Sequence, residues 1–217
     1  MKAPERAFTC YPGVTFDEAS ATVGEFVIIG VPPRGHAPGA LATRIGARAV
    51  LRSHTVVYAG NVIGDDFQTG HGVLIRESNQ IGDRVSVGSH SIIEHHVIIG
   101  DGVRIHSQAF VPEFTVLEAG SSIGPGTVLT NTRYPWSPQA KETMRGPHIE
   151  SAAIVGANVT VLPGLRIGAG ALVGAGAVVV KNVPPGAVVV GNPARIVRAV
   201  EDIAAYRRAA ANDKEAW

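Results

Sequence analysis

Every sixth residue from Ile45 to Leu129 is aliphatic, with one exception. The series reads Ile45, Leu51, Val57, Ile63, Thr69, Ile75, Ile81, Val87, Ile93, Ile99, Ile105, Val111, Leu117, Ile123 and Leu129, and only Thr69 interrupts it. An amphipathic helix repeats every 3.6 residues and a half-buried strand every two, so neither accounts for a period of six. A six-residue unit is one short strand plus one corner. Three units close a triangular coil of 18 residues, each face sending one aliphatic side chain inward. The coil period is visible separately in Ile45-Gly46, Ile63-Gly64, Ile81-Gly82 and Ile99-Gly100. Coils of this kind stack at strand spacing, each pairing with its neighbours, and residues 18 apart form columns along the prism. The fold class is all-β, a parallel β-helix.

The rest of the composition agrees. The 26 glycines and 14 prolines fit frequent tight turns, and two Trp, four Tyr and six Phe leave the core to small and β-branched side chains. With 217 residues there is material for one substantial domain. Lys and Arg total 19 against 18 Asp and Glu, which argues against nucleic acid or membrane held by bulk electrostatics. MKAPERAFTC has no apolar leader, and no run approaches 18 uncharged apolar residues; a soluble, cytoplasmic protein is expected. Cys10 is the single cysteine, which excludes an internal disulfide framework, and it reads as incidental.

The period breaks once, where Pro135 stands in place of an aliphatic; a new frame starts at Ile149 and runs through Val155, Val161, Ile167, Val173 and Val179. The intervening segment 130–148 is expected to leave the prism as an external loop, and such loops on rigid scaffolds usually carry function. Upstream, Val23 and Ile29 suggest one capping coil interrupted by VPPRGHAPG. The β-helix domain is thus placed at 1–198. Residues 199–217, with EDIAAYRRAAANDKEAW, are expected to form a short helical cap over the last coil.

The tail VVVKNVPPGAVVVGNPARIVR, residues 178–198, resembles the closing segment of hexapeptide-repeat acyltransferases, with Lys181, Pro184-Pro185 and Gly191-Asn192-Pro193-Ala194-Arg195. The stretch SHSIIEHHVIIGDGVRIHSQAF followed by IGPGTVLTNTRYPWSP is similar to the subgroup that N-acetylates nucleotide-linked amino sugars. There an S-H-x-x-I-E stretch precedes a T-N-x-x-x-P loop. The resemblance implies a left-handed β-helix, a homotrimer and acetyl-CoA as co-substrate. It places the CoA in a groove between neighbouring prisms towards the C-terminal coils, and the acceptor near the middle coils.

The register then identifies unusual corners. The corner after Ile45, Ile63, Ile81, Ile99 and Leu117 carries turn residues and reads as solvated. The corner after Leu51, Thr69, Val87 and Ile105 stacks Ser53, His71, Ser89 and Ser107 beside His54, Gly72, His90 and Gln108. The remaining corner stacks Tyr58, Arg76, Glu94 and Pro112, then Ala59, Glu77, His95 and Glu113. In a three-fold trimer each interface joins two different corners, so both polar corners would line one cleft.

Acetyl transfer needs a base for the attacking amine and donors for the oxyanion. His90 is the candidate base, with Glu94 as its orienting or acceptor-binding partner and His71 as the second candidate. His95, His96 and His106 read as structural. Asn131 and Arg133 are candidates for the acceptor or its diphosphate, Tyr134 and Trp136 for stacking or for anchoring the loop. Glu77 and Glu113 are candidates to orient acceptor hydroxyls or to pair with Arg76. For CoA, Lys181, Arg195 and Arg198 suit its phosphates. Ala157, Gly168, Gly174 and Ala175, within the small-residue stretches 157–159, 168–170 and 174–176, leave room for pantetheine beside the backbone.

Two alternatives stand beside this. The spacing of His54, His90 and His95 is similar to the zinc-binding histidines of γ-class carbonic anhydrases, although no metal is expected in the acyltransferase reading. After the amino sugar, the next alternative is O-acetylation of a sugar or small alcohol.

Overall fold

A computed structural model describes residues 8–209. The chain is a left-handed β-helix of about ten turns. Its strands, mostly two residues long, stack into three sheets of nine, eight and ten strands. Face one includes Val56–Tyr58, Leu74–Ile75, Ile92–Ile93, Phe110–Val111 and Val128–Leu129. Face two includes Val62–Ile63, Gln80–Ile81, Ile98–Ile99 and Val116–Leu117; face three includes Val50–Leu51, Gln68–Thr69, Ser86–Val87 and Arg104–Ile105. Pairing is parallel at a shift of 18 residues, for example Ile75 with Ile93 and Ile93 with Val111.

The aliphatic series is the core: Ile75, Ile93, Val111 and Leu117 are fully buried. Thr69 is buried too, and its hydroxyl is satisfied by the Thr55 hydroxyl at 3.0 Å and the Arg52 amide at 3.0 Å. The polar interruption therefore carries no unpaired group. A second period of six lies in the backbone. Arg48, His54, Gly60, Asp66, Gly72, Ser78, Arg84 and His90 all have positive φ, and the sequence continues to Gly126. Each corner turns through one left-handed residue, which is where Gly and Asn are cheapest.

We call the corner between faces one and two the first, between two and three the second, and between three and one the third. The second corner is tied by carboxylates. Asp65, Asp83 and Asp101 each accept the amide one coil below, from Ala47, Asp65 and Asp83, at 2.8–3.0 Å. Inside the first corner, Asn61 accepts from the Asn79 amide at 2.9 Å and Asn79 from the Val97 amide at 2.7 Å. These buried amides fix the heights of the side chains outside them.

Both ends depart from the sequence reading. The prism begins earlier, at Thr9–Cys10, Val14–Thr15 and Thr22–Val23, followed by Ile28–Val31 and Thr43–Ile45. Two strands, Thr9–Cys10 and Val14–Thr15, thus precede the expected capping coil of Val23 and Ile29, and Cys10 packs against the core. At the other end the open edge of face three is covered by a strand. Arg195–Ala199 pairs antiparallel with Ala187–Val190. The helix is Ala204–Ala209, after a 3-10 turn at Val200–Asp202, and Ala204 to Tyr206 are exposed. Residues 210–217 of the expected cap, and residues 1–7, lie outside the described residues.

Candidate active site

The two polar corners flank the same face. Face one turns Val56, Leu74, Ile92, Phe110 and Val128 outward, a continuous apolar column between the third corner on one edge and the first on the other. Both insertions leave from the first corner: 32–42 between Ile28–Val31 and Thr43–Ile45, and 130–147 between Val128–Leu129 and His148–Ile149. They frame its polar columns from below and above.

In the first corner, Arg76 is the hub. Its Nε and Nη2 donate to Glu77 at 2.8 and 3.0 Å, and its Nη1 donates to Glu94 at 3.3 Å. The guanidinium carbon lies 5.2 Å from the Tyr58 ring centroid. Burial pushes the Glu77 carboxyl up, but the Arg76 hydrogen bonds and charge outweigh it and hold Glu77 below its ordinary value. Above, His95 Nε2 lies 3.4 Å from Glu113 Oε1, and Glu113 accepts a hydrogen bond from the Asn131 amide. His95 and His96 face each other through Nδ1 at 2.8 Å, so only one of those two nitrogens carries a proton. Phe114 packs against both rings. Glu77, His95, Glu113 and Asn131 form one ladder up the edge.

The third corner holds the histidines. Ser53 Oγ is 2.9 Å from His71 Nδ1, and Ser89 Oγ accepts the His71 amide at 3.0 Å. The His90 amide donates to the His71 carbonyl at 2.9 Å. His90 has φ +59°, a left-handed conformation that imidazole side chains adopt rarely. Its ring lies over Gly72, where an added Cβ would sit 2.7 Å from Nδ1.

His90 and Glu94 bracket the strand Ile92–Ile93, so face one separates them by about 13 Å at 3.3 Å per residue. Within one chain Glu94 is paired with Arg76, not with His90. They meet only if the third corner of one copy abuts the first corner of another. His54 and His90 share the third corner two coils apart, while His95 is on the first. Among the described residues of the chain no three His, Cys, Asp or Glu gather as a metal site.

The external loop is tied at its root, where the Arg145 amide donates to the Asn131 carbonyl at 2.9 Å and the Gly164 amide to the Arg145 carbonyl at 2.9 Å. Arg133 is exposed, Tyr134 is 70% exposed and Trp136 is 99% exposed. Among the described residues neither ring is buried, so neither is packed into the prism core. Trp136 presents a whole indole to its surroundings.

Lys181 and Arg195 share one recess with Val180, Asn182, Ala194 and Ile196. It offers an apolar floor with two cations, which fits an anionic nucleotide end. Arg198, on the outer strand opposite Val188, is not part of it. Ala157, Gly174 and Ala175 lie on the third corner, in line with His90. Gly168 lies on the second, away from the others, and an added Cβ there would meet the Pro185 nitrogen at 2.4 Å. It is small for coil packing.

Residues 80–113 match the family model of the bacterial transferase hexapeptide, six repeats. Over those residues the repeat is similar to that of bacterial hexapeptide transferases. Through this repeat the chain is similar to serine acetyltransferase 2 of Arabidopsis thaliana, 44% identical over 91 residues, which is 42% of this chain and 26% of the relative. It is also similar to 2,3,4,5-tetrahydropyridine-2,6-dicarboxylate N-acetyltransferase of Staphylococcus aureus strain Newman, 40% identical over 81 residues, 37% of this chain and 31% of the relative. The hexapeptide stretch therefore spans less than a third of these curated relatives. In structure, UDP-N-acetylglucosamine O-acyltransferase of Moraxella catarrhalis RH4 superposes with a TM-score of 0.50 at 20% identity, over 94% of this chain and 76% of that one. That likeness concerns the fold. Among the described residues no helix is long and apolar enough to cross a membrane.

The sequence columns had placed His90, His71, Glu94, Arg76, Glu77 and Glu113 at their corners. In a triangular coil any two corners flank one face; what the columns did not show is which side chains pair, such as Arg76 with both Glu77 and Glu94.

Proposed function

We propose that the chain is an acetyl-CoA-dependent acetyltransferase that acetylates the amino group of a nucleotide-linked amino sugar in a cleft between copies of a homotrimer. The observation that carries this reading is the apolar column of face one, bordered by a histidine corner on one edge and a carboxylate corner on the other. Packing three such faces about a three-fold axis buries Val56, Leu74, Ile92 and Phe110. The same packing brings the third corner of each copy against the first corner of the next.

In that cleft His90 would accept the proton of the attacking amine, and the neighbouring copy's Glu94 corner would orient either the imidazole or the acceptor. His71, fixed by Ser53, stands one coil below as the second candidate. Ala157, Gly174 and Ala175 leave the upper third corner open to a pantetheine arm, and the Lys181–Arg195 recess suits the phosphates at its end. Acetyl-CoA supplies the activated thioester. The named activities of the curated relatives support acetyl transfer, and the amino-sugar acceptor rests on the S-H-x-x-I-E and T-N-x-x-x-P resemblance. Asn131 and Arg133, at the root of the external loop, are its proposed contacts, with Glu77 and Glu113.

The test is a panel of amino-sugar nucleotides incubated with acetyl-CoA, with free thiol as the readout. Thiol release that depends on one amino sugar supports the reading. Release with no member of the panel, together with a failure to bind acetyl-CoA, defeats it.

A further inference from the structure

Face three carries a trough of which the roles above use only His71. It encloses about 340 Å³ over three coils, and its polar lining includes Arg52, His71, Ser86, Ser89, Arg104 and Ser107. None of the described residues that line it is acidic. The contrast with the rest of the prism is sharp: the first corner carries Glu77, Glu94 and Glu113, and the second Asp65, Asp83 and Asp101.

The register builds this trough. Gln68, Ser86 and Arg104 are Cα partners on successive coils and point outward together. Beside them runs the column Arg52, Gly70, Gly88 and His106, 18 residues apart. The two glycines are small for coil packing, since an added Cβ would lie 2.4 Å from the Ser89 amide at Gly70 and 2.3 Å from the Ser107 amide at Gly88, and they give the trough a floor without side chains. Arg52 leans up the prism over this floor, donating from Nη1 to the Thr69 carbonyl at 2.6 Å. One of its five N–H donors is used there, and the others are available to a ligand. Ser89 accepts the His71 amide, which leaves its hydroxyl hydrogen to donate. Ser53 engages His71 at Nδ1, which leaves Nε2 as its point of contact.

Guanidinium groups, serine hydroxyls and an imidazole around a glycine floor, with no carboxylate, match the oxygens of a phosphate or diphosphate. A neutral sugar would instead be met by acceptors as well as donors. We propose that this trough is the phosphate site of the acceptor, taking its phosphate or diphosphate through Arg52 and Arg104 with the Ser86, Ser89 and Ser107 hydroxyls. It adjoins the third corner at the height of His90, so a bound phosphoanhydride leaves the attached sugar within reach of the candidate base. That last step rests on the acetyltransferase reading; the anion site itself does not.

The experiment is calorimetric titration of the full chain with inorganic pyrophosphate and with nucleoside diphosphates, repeated in saturating CoA. The wild type should bind both probes, more weakly as salt is raised. Arg52→Ala and Ser86→Asp, both at solvent-facing positions, should each weaken binding by about tenfold or more. Arg84→Ala, on the second corner and outside both recesses, should leave it unchanged. Three results overturn the proposal: no uptake of millimolar pyrophosphate, uptake indifferent to both trough variants, or displacement of pyrophosphate by CoA. The last would assign the trough to the co-substrate. A separate titration with acetyl-CoA tests the transferase reading, so the two fail independently.

Discussion

The side-chain amide of Asn131 donates to the carboxylate of Glu113, one coil below it. The first residues of the external loop are thereby fastened to the same carboxylate that faces His95 at 3.4 Å. Replacing Glu113 with Ala should free that root while leaving the coils intact, at a cost of about 1 kcal/mol. Amide exchange at Arg145, whose N–H is held by the Asn131 carbonyl, should quicken. Unchanged protection of Arg145 would show that the backbone bonds alone hold the loop.

A second clasp restarts the prism after the loop. His148 Nε2 lies 2.6 Å from Glu118 Oε1, while the Ser151 hydroxyl and amide donate to Oε2 at 2.8 and 3.0 Å. The Glu118 carboxyl is held below its ordinary value, first by the Ser151 hydroxyl and then by His148. Arg166 and the Ala169 amide hold Glu150 down, and Arg48 holds Asp66 down. A carboxyl with a lowered folded value adds stability at pH above its unfolded value and loses it as pH falls through the folded one. Denaturation midpoints should therefore drop as pH falls below about 5. Glu118→Gln should flatten part of that slope. An identical pH profile in the variant would remove the clasp from the account.

Backbone strain gives a gain rather than a loss. Ala152 has φ +56° at the second corner, where Gly102, Gly120 and Gly170 occupy the same position on other coils. Alanine has a Cβ to clash and no side-chain polar group to compensate. Ala152→Gly should stabilise the protein by about 1 kcal/mol, read as an upward shift of the urea midpoint. A destabilised variant would mean that the Ala152 methyl makes a contact worth more than the strain.

How far the sequence foretold this depends on what enforces each feature. An inward polar side chain needs a buried partner, as Thr69 has in Thr55, so the inward position is aliphatic almost throughout, and Ile45 to Leu129 and Ile149 to Val179 declare the prism. Thr69 is legible only as an interruption; its partner Thr55 is 14 residues away and visible only in space. The first two strands were hidden because Cys10 and Thr15 do not keep the six-residue step. The closing strand Arg195–Ala199 was hidden because a hairpin follows no coil period. At the site, column counting placed each candidate at its corner but not its partner. Glu94 is claimed by Arg76, 18 residues below it in the same column, rather than by His90 on the other corner, and Arg76 is shared with Glu77. Trp136 is visible in the sequence, but its 99% exposure is not.

His90 provides the sharpest test of the chemistry. Its side chain is exposed, it occupies a left-handed backbone position, and its ring sits over a glycine rather than inside the core. Removing the ring therefore leaves packing nearly untouched, and alanine at the same φ adds only a small strain. If the imidazole takes the amine proton, His90→Ala should lower kcat by about 10²–10⁴-fold, while the dissociation constant for CoA changes little. His71→Ala separates the two histidines, since it breaks the Ser53 contact one coil lower. A large loss in His71→Ala with normal turnover in His90→Ala would transfer the base role down the corner. Normal turnover in both would mean that the acceptor amine arrives neutral and loses its proton to water.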